Sequence, residues 1–224
     1  MRFWRQALEI ARVDLMVEQR VGSTLRITVP FAVVALMVFP LSLGLRLSLV
    51  SEVGVGIFWA VGILFGMQVA LRQSANDTIQ RRDLQALVGV DPAARFVGRI
   101  MSGAMLTIAF FLVMLASMAV LFDPDVPEGG WPLLALVSIL VAFGLTELGT
   151  LAGEVTTGLS SRTTLASLIV APMALPLVIG ASQSVEALPQ DTGILPWVLL
   201  LIASDLALAV AGVALARPLE EATR

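Results

Sequence analysis

Six long stretches of this chain carry almost no charge, and no other feature of the sequence narrows its fold so far. They cover residues 27–45, 53–72, 99–122, 131–153, 163–185 and 193–216, with Glu147 inside the fourth and Asp205 inside the sixth. An α-helix rises about 1.5 Å per residue and the hydrocarbon core of a bilayer is about 30 Å thick, so each stretch is long enough to cross. Lipid offers no partner to a free backbone N–H or C=O, and such a stretch must satisfy its own hydrogen bonds as a helix. The expected fold is all-α, a polytopic membrane protein of six transmembrane helices in a single domain over residues 1–224. Composition agrees: 14 % of residues are charged, against about 25 % in soluble domains.

The arginines set the expected orientation. Every one but Arg46 falls on a single side if the N-terminus is inside, while the opposite connections carry the acids of DPDVPEGG (Asp123–Gly130) and EALPQD (Glu186–Asp191). Positive flanks stay cytoplasmic, so both termini are expected in the cytoplasm. Trp131 and Trp197 then stand at the outer ends of spans four and six, in the headgroup layer that amphipathic rings favour.

Residues 1–26 mix Arg with Glu9, Asp14 and Glu18 and do not read as a signal peptide. Trp4, Ala7, Leu8, Ala11 and Leu15 recur at helical spacing, with Arg5, Glu9 and Arg12 on another face, which describes an amphipathic helix lying in the interface. A frayed polar tail is the alternative.

Spans two and three are joined by an unusually charged segment, LRQSANDTIQRRDLQALVGVDP (Leu71–Pro92). Leu84, Leu87 and Val88 share one helical face, Arg81, Arg82 and Gln85 point elsewhere, and Gly89 is a natural stop. Asp91-Pro92 reads as an N-cap followed by proline at the first helical position. Two readings fit this loop. It is either a solvated positive anchor or a coupling helix, whose apolar edge packs against the membrane domain while its Arg and Asp side chains enter a cleft of an ATPase that moves it as a rigid body. On the second reading the ATPase interface is Asp77, Arg81, Arg82, Asp83, Leu84 and Leu87. An interfacial helix, six spans and a surface helix between spans two and three together describe an ABC-2-type permease.

Polar groups inside the bilayer are few. Glu147, Thr150, Glu154 and Thr157 follow helical spacing down span four and should face protein or water; Asp205, near the middle of span six, is either paired at a helix interface or lines a polar path. Close helix contacts are suggested by Gly62 and Gly66, by Gly149 and Gly153, and by the row Ala203, Ala207, Ala211. Pro30, Pro40, Pro172 and Pro176 predict kinks and freed carbonyls.

The chain has no Lys, Cys, His or Tyr. A Walker A loop needs its Lys, so any ATP hydrolysis must come from a partner. Zinc sites, Cys or His nucleophiles and a His-oriented triad are excluded, and Met or carboxylates are poor haem ligands without a partner His. Glu147, Glu154 and Asp205 have no nucleophile or metal-ligand set beside them at a recognisable spacing, so no catalytic or metal residue is expected.

Several segments carry a family resemblance: VPFAVVALMVFPLSLG (Val29–Gly44), GIFW (Gly56–Trp59), the spacing of LRQSANDTIQRRDLQAL (Leu71–Leu87) and LASLIVAPMALPLVIGA (Leu165–Ala181). In these the chain resembles the haem exporter protein B family (CcmB), from the N-terminal helix to Ala187. The resemblance implies the membrane subunit of a cytochrome c maturation ABC complex in the bacterial inner membrane. It also implies an ATP-binding CcmA-like subunit, a haem-handling CcmC-like membrane protein and a periplasmic haem chaperone. Haem and ATP would sit on these partners, with no cofactor on this chain and no nucleic acid involved. Family members usually have an acid and an aromatic early in the charged loop and an Asp-Gly pair later; here Arg72, Ala75, Arg81 and Arg82 take the aligned places and Asp77 is retained. Six spans with one coupling element imply a second copy or a related half. The alternatives are an ABC-2 permease for a lipid or drug, a transporter driven by an ion gradient, and a membrane scaffold with no motor.

Overall fold

A computed structural model describes residues 2–42, 44, 47–75, 79–124, 126–127, 129–156, 170, 172–190 and 193–222. The described residues form eight helices and no strand: α1 (Arg2–Val21), α2 (Ser23–Ser42), α3 (Leu47–Ala75), α4 (Ile79–Leu87), α5 (Pro92–Phe122), α6 (Gly130–Val155), α7 (Leu175–Gln190) and α8 (Leu195–Ala222). Five of them contain stretches long and apolar enough to cross a membrane: Thr24–Ser42, Val53–Ala75, Pro92–Phe122, Gly130–Val155 and Leu195–Pro218. The fifth apolar stretch of the sequence, 163–185, has residues 163–169 and 171 outside the described residues, and α7 holds residues 175–185 of it. Helix α5 begins seven residues before the expected span, because Asp91 caps it: its Oδ1 accepts from the Ala93 N–H at 3.0 Å, with Pro92 next in the chain.

The core lies where α3, α5 and α6 meet. Phe58 and Trp59 of α3 stack edge-on with each other, and Phe111 of α5 packs against both. Gly62 and Gly66 make room for the Phe111 ring, so this pair of glycines admits an aromatic side chain. Gly149 behaves differently. A Cβ there would stand 2.9 Å from a backbone carbon of Ala70, which makes Gly149 the position where α6 and α3 come backbone to backbone. Leu36, Leu145, Leu148, Leu177 and Leu201 close the same core from α2, α6, α7 and α8.

The alanine row of the sixth stretch is a correction. Ala203 and Ala207 are exposed, and α8 packs instead through Leu201, Leu208, Gly212 and Ala216. The branched and small residues at those positions meet Gly180 and Phe96, which accept a leucine side chain and fill a glycine notch respectively. Pro30 and Pro40 lie inside α2, which stays one helix across both. At Ala174 the chain turns just before α7, with Pro176 in the first turn where its missing N–H matters least.

Candidate functional site

Helix ends carrying the arginines gather at one end of the bundle. There the last turns of α3, α6 and α8, the first turns of α2 and α5, and the surface helices α1 and α4 come together. Helix α4 stops in the expected manner. Gly89 takes φ +77°, its N–H donates to the Ala86 carbonyl at 3.0 Å, and the Val90 N–H donates to the Gln85 carbonyl at 3.0 Å, a Schellman motif.

Its orientation is the reverse of the expected one. Arg81 and Arg82 turn into the protein, while Leu84, Leu87 and Val88 are 64 %, 83 % and 83 % exposed. Asp83 is exposed with them. Asp77 lies outside the described residues. The physical reason for the reversal is the acid waiting on the inner side. Arg81 pairs with Asp14 of α1, and Arg82 pairs with Glu154 of α6 at 2.7 Å. A buried carboxylate without a cation costs far more than three apolar side chains left at a surface.

Glu154 is the centre of this arrangement. It is 4 % exposed and receives Arg82, Arg99 at 3.4 Å and Arg95 at 3.7 Å. A carboxylate in the last turn of a helix faces the negative end of the helix dipole, so Glu154 needs these cations to stay there. Arg99 also donates to the Ser74 carbonyl at 3.1 Å, satisfying one of the carbonyls that the end of α3 leaves open. One guanidinium thus ties α3, α5 and α6, and Arg82 adds α4.

Helix α1 is bound to the same end. The expected apolar face holds in part, since Ala7 and Ala11 are buried, but Trp4 and Leu8 are exposed and the buried face continues through Ile10, Asp14 and Glu18. Gly98 of α5 lets α1 approach closely: a Cβ there would stand 2.6 Å from the Ala7 carbonyl oxygen. The Asp14 carboxylate also accepts from Ser102 of α5 at 3.5 Å. Gln6 brackets the turn after α4, donating to the Gly89 carbonyl and accepting from the Asp91 N–H, each at 3.4 Å. Glu18 accepts from the Thr24 N–H at 2.8 Å and from its hydroxyl at 3.1 Å, which caps the first turn of α2 across Gly22.

Glu147 and Asp205 meet elsewhere, between α6 and α8. Asp205 reaches α6 at Gly144, where a Cβ would stand 2.7 Å from its Oδ1, three residues before Glu147 on the same helix. Glu147 Oε2 and Asp205 Oδ1 have no hydrogen-bond partner among the described residues. Glu147, Thr150 and Glu154 all face protein; Thr157 lies outside the described residues. The described residues contain no group of three or more acids able to hold a metal ion.

Sequence reasoning missed Asp14, Glu18, Arg95, Arg99 and Gln6. A signal was present in the spacing of both pairs. Asp14 and Glu18 sit four apart, as do Arg95 and Arg99, so each pair shares a helix face.

Comparison with known proteins accords with this architecture. The chain is similar to heme exporter protein B of Haemophilus influenzae, with 26 % identity over 181 residues, covering 80 % of this chain and 81 % of that protein. The family model described as CcmB protein matches residues 5–222, which takes in the surface helices as well as the spans. This chain belongs to the CcmB family and is a membrane subunit of a haem export system serving cytochrome c biogenesis.

Proposed function

We propose that this chain is the permease subunit of an ABC complex for cytochrome c maturation, and that the exposed edge of α4 is where its ATPase docks. The observation that carries this reading is an apolar edge of Leu84, Leu87 and Val88, with Asp83 beside it, held outward by ion pairs on the opposite face. A short helix with its arginines paired inward and its leucines exposed is arranged to grip the bundle and offer its apolar side to a soluble protein. The partner is a CcmA-like subunit that binds and hydrolyses ATP, since this chain has no Lys for a phosphate loop.

Closure of that subunit moves α4, which Arg82 and Glu154 anchor to the bundle, and with it the inner ends of the spans. The work drives haem export or release of the haem-loaded periplasmic chaperone, with haem held by a CcmC-like membrane protein. The complex lies in the bacterial inner membrane with both termini of this chain cytoplasmic, and a second copy completes the membrane domain.

The test is to place a charge on the edge. Leu87→Asp and Val88→Asp alter side chains that touch little of the bundle, so folding stability should change by no more than about 0.5 kcal/mol. Both should lose the co-purifying ATPase and the holocytochrome c that depends on it. Retention of a full complement of ATPase by the double variant would overturn the docking assignment. Normal c-type cytochromes in a deletion strain would assign the motor to another cargo.

A further inference from the structure

We propose that α1 is the second half of the coupling lever: Asp14, through Arg81, and Glu18, through its cap on α2, carry displacement of α4 into the first membrane span. The proposal rests on the functional reading above and adds two positioning residues and a route to it.

A helix that only floats in the interface has no reason to bury carboxylates. Asp14 and Glu18 are nevertheless 7 % and 6 % exposed, on the face of α1 that meets the protein. Each makes a directed contact with a different element. Asp14 holds Arg81 of α4, and Glu18 takes both the backbone N–H and the hydroxyl of Thr24 at the start of α2. One helical turn of α1 separates the two acids, a spacer that transmits displacement without bending. Gln6 fixes the other end of α1 to the turn after α4, so the two surface helices are joined at both ends. Meanwhile α2 leaves Phe31, Val34, Val38 and Leu41 exposed along its length, whereas most of α6 is buried against its neighbours. A push arriving at both would move α2 more easily. Glu154 thus serves as the anchor of α4, and Glu18 as its output.

The experiment uses the assembled complex in nanodiscs and in cells, with three readouts: ATPase co-purification, ATP hydrolysis, and holocytochrome c formed per ATP hydrolysed. Glu18→Gln leaves the α4 edge in place and should keep the ATPase bound and hydrolysing; Asp14→Asn removes one of the two ion pairs that hold that edge, so its yield is read per ATP hydrolysed by the complex that remains. Yield per ATP should fall about tenfold in each, the scale at which a coupling network responds to loss of one link. The charge swap Asp14→Arg with Arg81→Asp should restore yield to within about threefold of the parent protein. A merely structural role would lower the amount of complex and leave yield per ATP alone.

Because the chain has no Cys, a spin-label pair at Met37 and Leu136 can report motion of α2 against α6. Nucleotide should change that distance in the parent protein and not in Glu18→Gln. Unchanged yield per ATP in both single variants, failure of the swap to rescue, or an undiminished distance change in Glu18→Gln would each overturn the proposal. Absence of any ATPase from the parent complex would instead bring down the functional reading on which it rests.

Discussion

One carboxylate, Glu154, holds the guanidinium groups of Arg82, Arg95 and Arg99 at the arginine-rich end. Removing one partner of a buried ion pair costs about 3–5 kcal/mol. Glu154→Ala should therefore lower unfolding stability in detergent by several kcal/mol. The Arg217–Asp91 pair provides the contrast. It is solvent-exposed at 3.0 Å, and Arg217→Ala should cost at most about 1 kcal/mol, since solvent and salt screen such a pair. Equal losses from the two variants would show that Glu154 is not the buried centre of the network. At this scale the sequence was legible where a residue acts on its own backbone. Gly89 ends α4 and Asp91 caps α5, both as expected. It was not legible where the partner is remote, and Arg81 and Arg82 were read outward for that reason.

Elements differ in how they tolerate a side chain at a glycine. A Cβ at Gly98 would meet the Ala7 carbonyl oxygen and the Ile10 Cβ, at 2.6 and 2.9 Å, and backbone cannot swing aside. Gly98→Val should lift α1 from α5, cost about 1–3 kcal/mol and speed tryptic cleavage at Arg12 and Arg20. Gly89 has open space around it but a φ of +77°. Gly89→Ala should cost about 1–2 kcal/mol from backbone strain alone, with α1 still protected. Equal tryptic exposure in the two variants would count against a close α1–α5 contact. The existence of α1 and α4 was readable from apolar spacing, but their facing was not. The coupling reading placed Leu84 and Leu87 of α4 on the packed side, whereas both are exposed, and on α1 apolar spacing did not show that Asp14 and Glu18 share the buried face.

For the whole molecule the expectation is a bundle with its surface helices on the cytoplasmic side. The cysteine-free chain allows a direct check. An impermeant thiol reagent applied to intact cells should label Pro127→Cys and Leu195→Cys and spare Asp83→Cys and Arg217→Cys. Labelling at position 83 would invert the topology and remove the docking surface from the side where ATP is found.

The sequence by itself determined that this is a helical membrane protein, where five crossing stretches run, and where α4 stops and α5 starts. Those outcomes follow from forces acting along the chain: the thickness of the bilayer, the need of each backbone group for a near neighbour, and the conformational habits of Gly, Pro and Asp. Only the tertiary structure decided which side of α1 and α4 faces inward. That choice is made by pairs 67 and 72 residues apart, Arg81 with Asp14 and Arg82 with Glu154. A buried charge must find its counter-charge wherever the fold brings one.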